Sequence, residues 1–215
     1  MTTATISTTS DRESLADLVH RLGDVALVRI RLHPAPGTAI EDDLLTTAEP
    51  ACELADGVLV EQPMGYFEGR LAAILLVLIE DWLAANDIGY CNGEGAWTRL
   101  QEGLVRIPDL SFVRWERTTD HRVPRDPICG IVPNLAVEIL SPANSHREME
   151  RKRYEYFEAG VELLWIVDPQ ATTVAVWSTV KECRILDAAD ELDGGNVLPG
   201  FRTSIREWFD RAEGR

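Results

Sequence analysis

The chain has 215 residues, 45% of them hydrophobic, which fits one globular domain with a sizeable core. Its formal net charge of −15 at pH 7, if evenly spread, argues against a nucleic acid as partner. No apolar run approaches the roughly 18 to 20 residues of a membrane span, so we expect no membrane segment. The four cysteines are widely scattered and match neither a zinc spacing nor a dense disulfide framework, which favours the reducing cytoplasm.

The charge is distributed unevenly along the chain. Residues 99–153 hold 10 of the 21 Lys and Arg residues and 8 of the 36 Asp and Glu residues, a local balance of +2. The remainder of the chain carries a balance of −17. Residues 99–153 are therefore the one region that offers a polyanion such as DNA a tolerable surface.

The first predicted elements are a polar lead-in, a helix and a strand. Residues 1–12 are rich in Ser and Thr and lack the apolar segment of a secretory signal, so we expect a disordered lead-in before a single domain over residues 13–215. Ser10 or Asp11 is predicted to cap a first helix that includes SLADLVHRL. The alternation in VALVRIRL then predicts a strand.

The middle of the chain predicts a hairpin, a long helix and three short strands. The segment AIEDDLLTTAEP indicates a short acidic helix or turn, and CELADGVLVEQP a hairpin that turns at Asp56 and Gly57. Residues 66–86 are apolar on most of their circumference, as in a helix buried against a sheet. Strands are expected in GAWTRL, GLVRI and DLSFVRW, followed by a Pro-rich, charged loop over residues 118–133.

The last third predicts alternating strands and helices. The segment LAVEIL reads as a buried strand, and the helix after it is expected to be capped by Ser145 and to stop at Gly160. Further strands are predicted in ELLWIVDP, TVAVWS and KECRIL. A loop containing Gly194 and Gly195 is expected before a final helix near TSIREWFD. Without an internal repeat or a linker, one α/β (α+β-like) domain follows.

A glutamate interrupts the most apolar of these strands. Glu138 stands in the middle of LAVEIL, and burying an unpaired carboxylate costs several kcal/mol or more. Three explanations are open: Glu138 faces solvent on an edge strand, pairs with a core arginine, or binds a cation.

Three other charged residues lie at positions from which they could form one site with Glu138. Asp109 directly precedes a strand, Lys152 follows Glu138 by 14 positions on the next helix, and Glu53 lies in the first hairpin. Carboxylates from neighbouring strands can converge on Mg²⁺, which prefers oxygen ligands, and the carbonyl of Ile139 can add another. A nearby lysine would steady an attacking water or the charge that develops on a phosphate. Each residue alone also has a plain structural explanation.

Lys152, the basic residue of this group, is of a residue type that is rare in this chain. Only two of the 21 basic residues are lysines, Lys152 and Lys181. A compact ammonium whose pKa can shift suits work beside a metal-bound water better than a guanidinium does. On a helical wheel Lys152 borders the inward face, and Arg153 also points inward, so Arg153 is a rival for the basic role.

The order of the segments ELADG, PDLSFV, VEILSP, K...Y..AGV and LLWIVDP resembles the Uma-type family of bacterial restriction endonucleases, which is assigned to the PD-(D/E)XK nuclease superfamily. The resemblance runs roughly from Val25 to Phe209. It implies a restriction-endonuclease-like core, with a central mixed β-sheet flanked by helices, here with an N-terminal helix and hairpin as an extension. It also implies a metal-dependent phosphodiesterase site.

Carried over position by position, the resemblance makes Asp109 and Glu138 metal ligands, Lys152 the catalytic lysine and Glu53 a further acidic site residue. The usual lysine of the superfamily lies two positions after the acidic residue on the same strand. Here that position is Leu140, so the lysine must come from the following helix, as in other members of the family.

The leading hypothesis is an endonuclease that acts on DNA and depends on Mg²⁺, with Mn²⁺ as the other candidate ion. Asp109 and Glu138 are expected to hold the ion, with help from Glu53. A homodimer is expected, because cutting both strands needs two sites. One alternative is a catalytically silent, nuclease-derived module that binds a partner, which the net charge of −15 favours. Another is a hydrolase of small phosphodiesters, which needs a narrow, closed pocket.

Overall fold

The structure is a computed structural model and describes residues 14–46, 51–62 and 65–215. The α-helices of these residues are α1 Leu15–Arg21, α2 Glu41–Thr46, α3 Tyr66–Leu83, α4 His146–Ala159 and α5 Ile205–Glu213. The strands are β1 Cys52–Ala55, β2 Val58–Glu61, β3 Gly89–Asn92, β4 Thr98–Gln101, β5 Leu104–Arg106, β6 Leu110–Arg114, β7 Leu135–Ile139, β8 Leu163–Asp168, β9 Thr173–Trp177, β10 Cys183–Leu186, β11 Glu191–Gly194 and β12 Leu198–Ser204. Within these ranges no helix is both long and apolar enough to span a bilayer.

The central sheet has six strands in the order β10-β9-β8-β7-β6-β3. Strands β7 and β8 are parallel, with Glu138 opposite Ile166, whereas β6 pairs with β7 and β9 pairs with β8 in the antiparallel sense. The prediction of a central mixed sheet is confirmed. Because β7 has neighbours on both sides, Glu138 does not lie on an edge strand.

Helices cover both faces of this sheet. Leu135, Val137 and Ile139 of β7 pack into one core with α3 and α5, whereas Ala136 packs into a second core with α1 and α4. Successive side chains of a strand point to opposite faces, so Glu138 shares the face of Ala136 and lies beneath α4. The prediction of flanking helices is confirmed.

The predicted hairpin forms with its turn at Asp56 and Gly57, whose φ angles are 52° and 69°. Positive φ at both positions is the signature of a type I′ turn, which suits Asp-Gly. The hairpin is not a separate extension, however, since β1 pairs with β5 and a second sheet of order β2-β1-β5-β4 results. This sheet brings Glu53 of β1 toward α4. That residues 13–215 form a single domain stays a prediction.

Two predictions near the N-terminus need correction. The segment VALVRIRL is not a strand, because it contains a 3₁₀ turn at Leu27–Arg29 and bridges a strand only at Ile30. The turn directs Arg29 inward to a buried carboxylate, so the apparent alternation does not match burial. The first helix is capped by Ser14, which exchanges hydrogen bonds with Asp17. The expected lead-in over residues 1–12, with both candidate caps, lies outside the described residues.

Sequence analysis also missed three strands. Strand β3, the edge strand that pairs with β6, begins at Gly89 and is only four residues long. Strands β11 and β12 form a hairpin with a register shift between Asp193 and Gly194, where a loop was predicted. Short length, glycine and an irregular register all weaken the alternation from which strands are predicted.

Helix α4 has the predicted boundaries. Ser145 caps it by accepting a hydrogen bond from the backbone N–H of Glu148, and Gly160 ends it in a left-handed conformation with φ of 102°. Its buried residues include Met149, Lys152 and Tyr156, which recur at helical spacing. The last two therefore face the central sheet at Glu138.

We expect Gly23→Ala to destabilise the protein by more than the cost of placing an alanine at a positive φ angle, because the added Cβ also clashes with α4. Gly23 has φ of +89°, and an added Cβ would lie 2.6 Å from the Cα of Glu148 at the start of α4. Gly103→Ala is the matched control, since Gly103 has φ of +75° with nothing within 4 Å of the added Cβ. Gly103→Ala should cost about 1–2 kcal/mol and Gly23→Ala a further ~1–3 kcal/mol in urea unfolding. Equal losses would contradict this packing.

Candidate active site

Glu138 is buried and paired on the inner side of α4. It is 2% exposed, its Oε2 lies 3.0 Å from Lys152 Nζ, and its Oε1 accepts a hydrogen bond of 2.6 Å from the Tyr156 hydroxyl. The solvent-facing alternative is therefore wrong. Its partners are a lysine and a tyrosine, so the expectation of a core arginine is wrong as well.

Glu53 reaches the same lysine from the second sheet. Its Oε1 lies 2.9 Å from Lys152 Nζ and accepts a hydrogen bond of 3.1 Å from the backbone N–H of Ile107. Its Oε2 accepts a hydrogen bond of 2.8 Å from Arg106. The Lys152 ammonium thus lies between two carboxylates, one from each sheet.

Asp109 lies directly before β6, beside the end of β7. Its Oδ2 accepts a hydrogen bond of 2.5 Å from the backbone N–H of Ile139, and its own N–H donates to the carbonyl of Val137 at 3.0 Å. In an extended strand the N–H and C=O of one residue point to the same side. The Ile139 carbonyl therefore faces the side of Asp109, as an additional ligand would need to.

Burial and mutual repulsion shape the protonation of these carboxyl groups. Burial, with repulsion from Glu138, raises the pKa of Asp109 to about 8. Burial also raises the pKa of Glu138, although Lys152 opposes the shift. Ionising both of these buried carboxyl groups together is costly, and a cation bound between them would reduce that cost.

This donor set fits Mg²⁺. No three His, Cys, Asp or Glu side chains within residues 14–46, 51–62 and 65–215 converge into an all-protein metal site. Mg²⁺ does not need one, because it keeps several waters and binds through one or two carboxylates plus substrate phosphate. Asp109, Glu138 and the carbonyl of Ile139 supply that number of oxygens.

Lys152 is held in its charged form. Burial acts to lower its pKa, but the carboxylates of Glu138 and Glu53 outweigh burial and raise the pKa above the ordinary value for lysine. The side chain is 1% exposed, so the ammonium has little access to bulk water. Lys152 is therefore a hydrogen-bond donor and a fixed positive charge, not a proton acceptor, at neutral pH.

The rival basic residue lies elsewhere. Arg153 packs over the Trp177 ring, with its guanidinium carbon 4.0 Å from the ring centroid. Of the two basic residues considered for this role, only Lys152 contacts the predicted carboxylates.

Sequence analysis missed a second buried cation beside Glu53. Arg106 is 4% exposed and also donates to Glu155 from its Nε, at 2.9 Å. Its position inside the apolar segment GLVRI was an available signal, of the same kind as Glu138 inside LAVEIL. The hydroxyl of Tyr156, which donates to Glu138, was missed too.

A further ion pair holds the chain that follows β7. Arg29 donates two hydrogen bonds of 2.8 Å to Glu148, and a third of 3.3 Å to the carbonyl of Ala143. Bidentate pairs of this kind fix orientation as well as distance. Arg29 thus ties the loop after the Glu138 strand to the first turn of α4.

The stability that Glu53 supplies should depend on pH. Burial would raise its pKa, but Lys152, Arg106 and a backbone hydrogen bond lower it from 4.5 to about 2. The native state therefore binds this proton more weakly than the unfolded state, so the contribution is present above pH 4.5 and is lost as pH falls toward 2. We expect Glu53→Gln to cost about 3 kcal/mol at pH 6, and less at each lower pH, in urea unfolding.

Glu158→Gln, at an exposed position of α4, is the control and should change stability by less than about 0.5 kcal/mol throughout. A Glu53→Gln loss that stays constant between pH 6 and pH 2 would contradict the ion pairing of Glu53.

Comparison with known proteins identifies the fold and the family of the chain. The crystal structure of a putative nuclease belonging to DUF820 from Anabaena variabilis ATCC 29413 matches with a TM-score of 0.69 at 22% identity, over 80% of this chain and 98% of that chain. At this identity the match shows the fold alone. No curated protein matches the chain. The model of the family Uma2, described as "Putative restriction endonuclease", matches residues 40–206, and the chain therefore belongs to the Uma2 family.

Proposed function

We propose that this protein is a metal-dependent endonuclease that hydrolyses phosphodiester bonds in DNA. One observation carries the proposal: the buried Lys152 ammonium is paired with the Glu138 carboxylate, and the buried Asp109 carboxyl group is hydrogen-bonded to the same strand at the next residue, Ile139. The raised pKa values of Asp109 and Glu138 agree with a place for a cation between them. Membership of a family described as restriction endonucleases supports the same class of chemistry.

Asp109, Glu138 and the carbonyl of Ile139 would hold Mg²⁺, with Mn²⁺ as the other candidate. When bound, the ion would polarise a phosphoryl oxygen and make water more acidic. Glu53 was also predicted as a ligand. Its oxygens already face two cations, Arg106 and Lys152, and a backbone N–H, whereas Glu138 pairs with Lys152 and a neutral tyrosine. We therefore assign Glu53 to positioning Lys152 and not to the metal.

The chain's own residues then have distinct roles in the reaction. Lys152 donates hydrogen bonds to the phosphate and stabilises the negative charge that grows as water attacks phosphorus and the ester oxygen departs. Because its pKa is raised, it does not serve as the general base. Tyr156 holds one oxygen of Glu138 and leaves the other near Lys152, which fixes the carboxylate orientation.

A second candidate function is a nuclease-derived module without catalysis. The net charge of −15 favours it, and the arginines near the site, Arg29, Arg106 and Arg151, are paired with carboxylates. A hydrolase of small phosphodiesters is a third candidate, favoured by the burial of Glu138 and Lys152. DNA as the substrate, a homodimer and a cytoplasmic location stay part of the proposal.

Metal binding should depend on Glu138. We expect calorimetric titration of Mn²⁺ and of Mg²⁺ to give saturable heat with the parent protein and none with Glu138→Gln, which keeps the side-chain shape but removes the charge. Glu158→Gln, on the exposed face of α4, should titrate like the parent. Equal heats for the parent and Glu138→Gln would remove Glu138 from the metal site.

Cleavage should depend on Lys152 without a loss of metal binding. We expect Lys152→Met to slow Mn²⁺-dependent cleavage of plasmid and single-stranded circular DNA by about 10²–10³-fold, because it removes one charge that stabilises the transition state. Mn²⁺ should still bind, since the Asp109 and Glu138 oxygens remain. Cleavage at the parent rate in Lys152→Met, with folding verified by circular dichroism, would overturn the catalytic role. No cleavage by the parent with either ion would favour the silent module.

A further inference from the structure

A pocket of about 360 Å³ lies beside the candidate active site. Its size is within the range of about 300–1,000 Å³ that is usual for small-ligand sites. Leu140, Met149, Arg153, Ile166, Ala175 and Trp177 are among the residues that line it, together with polar residues at the start of α4 that include Glu150. None of these residues has a role in the proposed hydrolysis.

The pocket shares its floor with the Glu138 strand. Ile166 is the register partner of Glu138 on β8, and Ala175 is the partner of Ile166 on β9. Paired strands lie about 4.8 Å apart, so the floor begins one strand away from the carboxylate. On the helix side Met149 precedes Lys152 by one turn. A ligand in the pocket would therefore lie next to Lys152 and Glu138.

The walls of the pocket carry a flat, cationic stack. The guanidinium of Arg153 lies over the Trp177 ring, 4.0 Å from its centroid, and its ion pair with Glu150 is long at 3.5 Å. Aromatic rings and guanidinium planes are the groups on which unpaired nucleobases stack. The apolar floor at Ile166 and Ala175 suits the same flat ligand.

Two buried donors in this stack have no partner. Arg153 Nε and Trp177 Nε1 are both buried, and neither makes a hydrogen bond with any residue that the structure describes. Buried donors are nearly always satisfied, so an unsatisfied pair at one pocket indicates a missing acceptor. Carbonyl oxygens and ring nitrogens at the edges of a nucleobase are acceptors of this kind.

The depth of the site favours a thin substrate. Asp109, Glu138 and Lys152 are 3%, 2% and 1% exposed. A regular duplex is wide and stiff, so its phosphates do not reach a buried site easily. A single strand can bend and insert a phosphate together with its neighbouring base. The net charge of −15 also weakens attraction to phosphates, so stacking must supply a larger share of the affinity.

We propose that this pocket binds one unpaired nucleobase of single-stranded DNA, next to the phosphate that is cut. This inference rests on the proposed nuclease function and narrows its substrate to DNA with unpaired nucleotides. Arg153 and Trp177 form the stacking wall, and their buried N–H groups donate to the base.

The test is a binding titration with a fluorescein-labelled oligothymidylate of about 12 nucleotides, in which fluorescence anisotropy reports the bound fraction. EDTA is present so that metal binding does not contribute. We expect the single strand to bind at least about tenfold more tightly than the matched duplex. Arg153→Gln should weaken single-strand binding by at least about fivefold. Arg147→Gln is the charge-matched control, because it removes one positive charge from the same helix at an exposed position outside the pocket, and it should change binding by less than about twofold.

The emission of Trp177 provides a second measurement, which can be made on the parent protein without removing a side chain. The oligothymidylate should quench tryptophan emission in the parent and quench it less in Trp177→Phe. This variant keeps an aromatic face but loses the Nε1–H donor, so it should weaken binding by only about two- to tenfold. Equal weakening by Arg153→Gln and Arg147→Gln, or equal affinity for single strand and duplex, would overturn the pocket proposal.

Cleavage assays separate the failure of this inference from failure of the proposed function. Mn²⁺-dependent cutting of single strand and duplex at equal rates, unaffected by Arg153→Gln, would leave a nuclease and overturn the nucleobase pocket. Binding of single strands that requires Arg153, with no cutting by the parent, would support the pocket and overturn the nuclease proposal.

Discussion

The placement of the Lys152 ammonium between Glu138 and Glu53 is the interaction on which the rest of the structure depends. The two carboxylates come from different sheets, and Lys152 comes from the helix packed between them, so one charged group connects three elements. All three side chains are at most 3% exposed. Removing one member of such a buried group costs about 3–5 kcal/mol, because it leaves a charge without its partner. The relative position of the sheets is therefore fixed where chemistry would occur.

The same arrangement leaves the site short of positive charge. Arg106, Arg151 and Lys152 are the three cations paired with Glu53, Glu138 and Glu155, and Asp109 adds a fourth carboxyl group. Without a further cation this excess is reduced by protonation, which is why burial and Glu138 together raise the pKa of Asp109 to about 8. If the site binds the proposed cation and is also stable without it, the site needs this balance. A complete set of ion pairs would leave no electrostatic reason for a cation to bind.

Local mismatches in the sequence pointed to the residues of the candidate site, whereas their long-range partners were not predictable. Glu138 was conspicuous because a carboxylate interrupts an apolar strand, and the position of Lys152 followed from the caps of α4 at Ser145 and Gly160. That Glu138 meets Tyr156 and Glu53 meets Arg106 depends on how two sheets pack, which no local pattern encodes. Strand β3 and the β11–β12 hairpin were missed because pairing with other strands, not local alternation, defines them.

Placing the lysine on a helix changes what the neighbouring strand can do. In the superfamily that the sequence resembles, the lysine occupies the strand position that is Leu140 here. The position of a lysine on α4 depends on the position of the helix. Arg29 fixes the start of α4 because it binds both Glu148 and the carbonyl of Ala143. The strand position is thereby released for an apolar residue, and Leu140 lines the pocket beside Glu138. In the proposed nuclease, the lysine on α4 and the apolar lining of the neighbouring pocket at Leu140 are therefore linked through one strand position.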